Sequence, residues 1–91
     1  MGYFPSEGTM RPQSPPPSYR PSKPSTSYII DCIYQYTYVW LKNGEQFWFY
    51  PTRVEYEGAT GYRWNGAVWV YYAIDARNID AVACPPIPTP Y

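Results

Sequence analysis

Two cysteines, Cys32 and Cys84, are the residues of this 91-residue chain best suited to covalent chemistry. The chain has no histidine, and two cysteines alone do not make a zinc site. Their wide spacing is also unlike that of a redox Cys-x-x-Cys motif. Three states remain: a disulfide within the chain, bridges between chains, or two buried thiols. A disulfide within the chain would contribute about 4 kcal/mol on the chain-entropy estimate, and either kind of bridge needs oxidising surroundings.

Side chains suited to catalysis are otherwise scarce. The chain lacks a histidine base, a Gly-x-Ser-x-Gly elbow, a phosphate-binding loop and a paired-carboxylate motif. Asp31, Asp75 and Asp80 are typical of turns and of solvent-facing positions. We therefore expect a protein that is not an enzyme and that uses no metal or other cofactor.

Proline divides the chain into three regions. Seven of the twelve prolines fall within residues 1–27, four within residues 85–90, and only Pro51 lies between them. We interpret residues 1–27 as a proline- and serine-rich extended tail, residues 28–84 as an aromatic-rich β-domain, and residues 85–91 as a proline-rich C-terminal tail. Such tails favour polyproline II and cannot bury enough surface to fold alone.

The middle region predicts an all-β fold, because runs rich in Tyr, Trp, Val and Ile are separated by turn signals. Asn43-Gly44 and Asn65-Gly66 are predicted hairpin turns, since a type I′ turn needs two residues that tolerate positive φ. The predicted strands are 28–42, 45–50, 52–57, 61–72 (with the second Asn-Gly turn inside) and 79–84. Residues 58–61, Gly-Ala-Thr-Gly, are predicted to form a loop, and residues 75–78 a short turn or 3₁₀ helix.

Five short strands, with a one-turn element before the last, favour a small five-stranded antiparallel barrel of SH3-like or Sm-like size. The alternative is a strongly twisted open sheet. In such a barrel the first and last strands often pair, and Cys32 would then lie near Cys84.

The first hairpin predicts two apolar faces. A two-residue turn at Asn43-Gly44 would place Trp40 opposite Phe47 and Val39 opposite Trp48. One face would then carry an aromatic strip, the predicted tail-docking and assembly face, made of Tyr34, Tyr36, Tyr38, Trp40, Phe47 and Phe49. Both faces are too apolar for a sheet that is wetted on one side. One face should therefore form the core, and something else should cover the other.

The N-terminal tail is the candidate cover. Its predicted docking residues are Pro15, Pro16, Pro17, Tyr19, Arg20 and Pro21. Stiff polyproline segments lose little entropy on aromatic grooves, and this tail is net basic whereas the domain is net acidic. Docking on a neighbouring copy is head-to-tail and need not close, so it would build fibres or layers. The alternative is that the rings are simply the core and that the tail is disordered.

Neither nucleic acid nor a membrane is an expected partner. The domain has four basic residues, Lys42, Arg53, Arg63 and Arg77, and acidic residues outnumber them, so counterion release would contribute little affinity. No apolar run is long enough for a membrane span, and the N-terminus lacks the apolar region of a signal peptide.

Residues 43–51, 61–66 and 68–75 together resemble a family of small uncharacterised proteins from endospore-forming Gram-positive bacteria. The shared landmarks are Asn43-Gly44, the aromatic-Pro pair Tyr50-Pro51, the Gly-aromatic-Arg-Trp run 61–64, and Ile74-Asp75. The resemblance covers roughly residues 38–83 and supplies no catalytic residues. Members are often labelled transporters, which a chain without a membrane span contradicts. The resemblance implies an extracellular or spore-surface protein, a location that such proteins reach without a signal peptide.

Together these features predict a structural protein that assembles with copies of itself into an extracellular or spore-surface filament or layer. In this assembly, the proline-rich tail of one subunit docks on the aromatic face of its neighbour. The alternative is a monomeric SH3-like module that binds a peptide, a glycan or single-stranded nucleic acid.

Overall fold

The computed structural model describes residues 11–25 and 27–84, and within them the chain forms one five-stranded antiparallel sheet. The strands are β1 (Thr37–Leu41), β2 (Gln46–Glu55), β3 (Gly58–Trp64), β4 (Trp69–Asp75) and β5 (Ile79–Ala83). Two short 3₁₀ helices, η1 (Ile29–Cys32) and η2 (Ala76–Asn78), precede β1 and β5. The all-β prediction and the number of strands are confirmed. The predicted C-terminal tail, residues 85–91, and the first ten residues lie outside the described residues.

The sheet is open rather than closed into a barrel, with the order β4-β3-β2-β1-β5. The predicted pairing of the first and last strands is confirmed, since β1 and β5 pair antiparallel with Val39 opposite Val82. The closed barrel is wrong, because no ladder joins β4 to β5 among the described residues. The outer edge of β5 has a different partner: the backbone N–H of Val82 donates to the hydroxyl of Ser27 at 2.9 Å.

The first strand is shorter than predicted. Residues 28–36 form η1 and a turn instead of strand, and β1 begins only at Thr37. Tyr34 adopts a positive φ of 62°, and its N–H donates to the carbonyl of Pro51 at 2.7 Å. A positive φ cannot belong to a continuous strand, so this turn separates the entering chain from the sheet.

Pro51 does not divide the second strand, as the sequence had suggested. A single strand, β2, passes through it, and the register with β3 shifts between Pro51 and Arg53. A bulge tolerates proline because a residue there need not donate to the ladder. The predicted 58–61 loop is also wrong, because these residues form the first half of β3. At Gly61 a Cβ atom would lie 2.1 Å from the carbonyl oxygen of Tyr50, so this closely approached position requires glycine.

Both Asn-Gly pairs lie in hairpin turns, with Gly44 and Gly66 at φ values of 97° and 103°. The first turn is longer than predicted, because the N–H of Leu41 bonds to the carbonyl of Glu45 at 2.9 Å and Lys42–Glu45 form the loop. Val39 therefore lies opposite Phe47 and Tyr38 opposite Trp48, one residue away from the predicted register. A shift of one residue moves side chains to the opposite face of a sheet.

The corrected register divides the apolar side chains into two clusters. The first, which we call the Phe face, contains Phe47 and Phe49 and is otherwise mostly aliphatic: Cys32, Val39, Leu41, Ala59, Ile74 and Val82. The second, the Tyr–Trp face, consists of Tyr38, Trp40, Trp48, Tyr62, Trp69 and Ala81, with Tyr36, Tyr50, Trp64 and Ala83 half-buried against it. Each face contains residues that are at least nine-tenths buried, so both are covered.

Candidate functional site

The Tyr–Trp face is covered by residues 11–25, which we call the docked segment. From Ser27, beside β5, the segment crosses the sheet toward β3 and β4. Its contacts in this order are with Asp80, Gln46, Trp48, Trp69 and Tyr62. These residues belong to β5, β2, β4 and β3, so the segment spans the width of the sheet.

Ser14 is the central anchor of the docked segment. Its carbonyl oxygen accepts two hydrogen bonds, from the indole Nε1 of Trp69 at 2.9 Å and from the Tyr36 hydroxyl at 3.2 Å. The hydroxyl groups of Ser14 and Tyr36 also lie 3.0 Å apart. The two donor rings are parallel, with centroids 5.7 Å apart and planes 6° apart. A Tyr and a Trp thus hold the segment by their polar groups while their rings complete the face.

Tyr19 and Arg20 form a second anchor above β2. The ring of Tyr19 meets Trp48 edge to face, with centroids 6.2 Å apart. The guanidinium of Arg20 donates to the side-chain oxygen of Gln46 at 2.8 Å, and the Tyr38 hydroxyl donates to the same oxygen at 3.3 Å. This anchor therefore combines one ring contact with one shared acceptor.

Charged groups hold both ends of the docked segment. Arg11 places its guanidinium over the ring of Tyr62, 5.2 Å from the centroid, a cation–π arrangement. At the other end Lys23 forms an ion pair with Asp80 on β5. The side chains of this pair are about half-exposed, so it orients the segment and contributes little free energy.

An open cavity of about 490 Å³ remains beside the Ser14 anchor. Its walls are Arg11, Pro12, Gln13 and Ser14 from the segment and Tyr34, Gln35, Tyr36 and Tyr50 from the domain. Burial raises the pKa of Tyr50, and the neighbouring phenols of Tyr36 and Tyr34 raise it further. The phenol of Tyr50 therefore stays neutral over a wider pH range than a free tyrosine.

The structure divides the predicted aromatic strip between the two faces. Tyr36, Tyr38 and Trp40 belong to the Tyr–Trp face, whereas Phe47 and Phe49 lie on the Phe face because of the one-residue shift in register. Tyr34 is 48 % exposed and lines the cavity. The sequence prediction missed Trp48, Tyr62 and Trp69, the rings that Tyr19, Arg11 and Ser14 contact. A four-residue turn at Asn43-Gly44 would have identified Trp48.

The predicted docking residues of the tail are present but contribute unequally. Tyr19 and Arg20 make specific contacts, whereas Pro16, Pro17 and Pro21 are half-buried and Pro15 is exposed. The contacts of Arg11, Ser14 and Lys23 were not predicted. Prolines therefore set the extended path of the segment, and the residues between them form its polar contacts.

Cys32 and Cys84 lie at disulfide-bonding distance within the chain, with their Cα atoms 5.7 Å apart across a sequence separation of 52. Of the three states that the sequence left open, the structure has the intrachain pair. The bond joins η1 to the end of β5, and Cys32 is 3 % exposed within the Phe face. It thereby fixes the chain that leads from the docked segment into the sheet.

Arg63, which the sequence prediction did not single out, covers the Phe face near the first hairpin. Its guanidinium lies 3.9 Å from the centroid of Phe47 and 4.9 Å from that of Tyr72. It also forms a 3.2 Å ion pair with Glu45 in the turn. The Phe face is thus shielded by a cation held over its rings.

The predicted 3₁₀ turn before the last strand is confirmed as η2. The side chain of Asp75, just before η2, accepts a hydrogen bond from the N–H of Arg77 at 2.9 Å. The side-chain and backbone hydrogen bonds from Arg77 lower the pKa of Asp75 to about 2. This carboxylate caps the turn and is ionised at neutral pH. The hydrogen bonds from Arg77 hold the Asp75 carboxylate, and this argues against a role of Asp75 as a general base.

Within residues 11–25 and 27–84, no group of three His, Cys, Asp or Glu side chains is arranged to hold a metal ion. No helix in the same part of the chain has the length and apolar character to cross a membrane. Comparisons with protein-family models, with curated proteins and with solved structures gave no match. The resemblance to the endospore-former family therefore stays a prediction, and the functional proposal depends on the geometry of the chain itself.

Proposed function

We propose that the protein is a structural subunit that assembles with copies of itself, with the docked segment of one copy seated on the Tyr–Trp face of another. The observation that carries the proposal is the cover itself. A segment outside the sheet covers the buried rings of the Tyr–Trp face, and it does so by non-covalent contacts alone. A second copy presents the same face and can accept the same segment.

Exchange of the segment costs few contacts, because a segment docked on a second copy makes the same contacts that it makes on its own domain. The hydroxyl of Ser27 accepts a hydrogen bond from Val82 of β5, and Lys23 contacts Asp80, which lies two residues before Val82 in the same strand. The short connection between them can act as the hinge, since no strand has to break when the segment swings out. Exchange of an identical element is a low-cost route to oligomers.

Concentration decides between the closed and the exchanged forms. A short linker gives docking within one chain an effective concentration on the order of millimolar. Exchange therefore becomes favourable where the protein is highly concentrated, as in a surface deposit. If each copy passes its segment to the next, the contacts are head-to-tail and the product is a filament or a layer.

The cysteine pair supports an extracellular or spore-surface location for this assembly. Disulfides persist in oxidising surroundings, and a small domain gains much of its stability from one. Alkylation of the protein extracted directly from its source tests the location. Modification of both cysteines without prior reduction would contradict it.

A complementation experiment tests the exchange. One variant, Tyr36→Phe with Trp69→Phe, keeps its segment but loses both donors to Ser14. The other lacks residues 1–24 and keeps an intact face. When they are mixed, the weakened segment of the first should dock on the second, and light scattering should then show a species larger than either variant forms alone.

The intact chain supplies the control. It should form larger species as its concentration rises, and a Gly-Ser-Gly-Ser insertion after Ser25 should oppose this by relaxing the connection. The proposal fails if no mixed species forms, or if deletion of residues 1–24 leaves the oligomeric state of the protein unchanged.

The alternative function, a monomeric binding module, is favoured by one observation. The cavity beside Ser14 combines three tyrosine rings with the amides of Gln13 and Gln35, groups that suit a sugar or a peptide. A chain that stays monomeric at every concentration and binds such a ligand would favour this alternative.

A further inference from the structure

The two edges of the sheet differ in how they are protected. At the β5 edge, the N–H of Val82 bonds to Ser27, and Asp80 pairs with Lys23. At the β4 edge, no strand of the described residues pairs with the outer side. An unpaired edge is a template for pairing with another chain unless proline, lysine or a covering segment blocks it.

The backbone groups that β4 directs outward can be identified from the two ends of its ladder with β3. The N–H of Ala76 donates to Glu57 at 2.9 Å, and the N–H of Asn65 donates to Val68 at 3.1 Å. Hydrogen-bonded and non-bonded pairs alternate along an antiparallel ladder. Val70, Tyr72 and Ile74 therefore bond inward to β3, whereas Trp69, Tyr71 and Ala73 direct their N–H and C=O groups outward.

The side chains of this edge are apolar and exposed. Val68 is 54 % exposed, Val70 37 % and Tyr71 60 %, and all three lie within four consecutive positions of the sequence. The strand Trp-Val-Tyr-Tyr-Ala-Ile-Asp contains no lysine, no arginine and no proline, and Asp75 at its end is its single charge. Within the described residues, neither β4 itself nor a neighbouring strand protects this edge.

We propose that the β4 edge pairs with the β4 edge of a second copy around a two-fold axis, which joins two sheets into one of ten strands. Tyr71 lies at the axis, opposite its own copy. This register pairs outward-facing residues with outward-facing residues and sets the large Trp69 against the small Ala73. It also keeps the two Asp75 carboxylates apart at opposite ends of the ladder.

This pairing goes beyond exchange of the docked segment and does not depend on it. It uses β4, whereas the exchange uses the Tyr–Trp face and the hinge before Ser27. In a β4–β4 pair the two β5 strands lie at opposite ends of the joined sheet, so a segment that leaves one β5 does not reach the corresponding position on the partner, and the two interfaces together extend a polymer. Edge pairing alone gives a dimer.

Two substitutions test the edge in the full chain that carries the Gly-Ser-Gly-Ser insertion after Ser25, where the segment stays on its own domain. Ala73→Pro removes an outward N–H, and in a two-fold pair it removes two hydrogen bonds. Self-association should weaken about thirtyfold. Tyr71→Lys places like charges directly opposite each other at the axis and should also weaken it.

Tyr28→Lys is the matched control, because Tyr28 is 65 % exposed and lies beside β5, at the opposite edge of the sheet. It makes the same change of charge and should leave the association unchanged. Amide exchange of Tyr71 and Ala73 should slow as protein concentration rises, and circular dichroism should show that each variant folds.

The parent chain with the insertion should form dimers whose population rises with concentration. A parent chain that stays monomeric would overturn the proposal, as would folded Ala73→Pro and Tyr71→Lys variants that associate as the parent does. Failure of the complementation experiment with an intact edge dimer would remove segment exchange and leave the edge pairing in place.

Discussion

The two faces of the sheet are both rich in aromatic rings, yet they are closed by different means. The Phe face is closed from within residues 28–84, by η1 with its bond from Cys32 to Cys84 and by Arg63 over Phe47. The Tyr–Trp face is closed by a segment that precedes the sheet, through hydrogen bonds and ring contacts.

The chemistry of the rings accounts for this difference. Phenylalanine has no polar atom, so a surface of Phe and aliphatic side chains gains only from permanent burial. Tyrosine and tryptophan carry a hydroxyl or an N–H that can bond to a removable cover and, without it, to water. Adjacent residues such as Trp48 and Phe49 therefore lie on opposite faces: Phe49 is fully buried in the Phe face, and Trp48 lies under the docked segment.

The largest expected effect is on the Phe face. The double substitution Cys32→Ala and Cys84→Ala should lower the free energy of unfolding by about 4 kcal/mol, because it frees a loop of about fifty residues in the unfolded chain. Denaturant unfolding of the variant and of the oxidised protein measures the difference, and reduction of the unsubstituted protein should reproduce it. A loss below about 1 kcal/mol would mean that the strands alone close this face.

A smaller effect is expected on the Tyr–Trp face. Trp69→Phe keeps a ring beside Tyr36 but removes the donor to the carbonyl of Ser14, a loss of about 1 kcal/mol. Chymotrypsin cleavage after Tyr19 should become faster, while cleavage within the sheet should keep its rate. The same substitution in a chain that lacks residues 1–24 should cost less than in the full chain.

An equal cost of Trp69→Phe in both chains would show that Trp69 acts within the sheet and not on the segment. Tyr36→Phe is the companion variant, since it removes the second donor to the same oxygen. Because both donors share one acceptor, their effects should not add.

Much of the fold could be predicted because local chemistry determines it. The Asn-Gly pairs predicted the positions of two hairpin turns, and the residues after Ile74 predicted the 3₁₀ turn before the last strand. The pairing of β1 with β5, and with it the proximity of Cys32 and Cys84, was predicted from a closed barrel, and the pairing holds although the sheet is open. These features depend on a few residues with strong backbone preferences.

The faces could not be predicted in the same way, because the register depends on one residue of turn length. A two-residue loop at Asn43-Gly44 puts Phe47 beside Trp40, whereas the four-residue loop puts Phe47 beside Val39. The excess of aromatic residues predicted that something covers one face of the sheet. Which rings contact Ser14, Tyr19 and Arg11, however, depends on that register. The positive φ of Tyr34 likewise has no local signal, since tyrosine rarely adopts it.

The smallest expected effect concerns the ionisation of Tyr50 on the Tyr–Trp face. Burial raises the pKa of Tyr50 above its ordinary 10.0, so the folded protein favours the neutral phenol. Its contribution to stability is complete below pH 10 and is lost as pH rises through the higher pKa of the folded state. A tyrosinate absorbance titration should show one late component that Tyr50→Phe removes. Because Tyr50 is half-buried at the Tyr–Trp face, alkaline pH should loosen this face while the Phe face stays packed. A late component that persists in Tyr50→Phe would assign it to a different tyrosine.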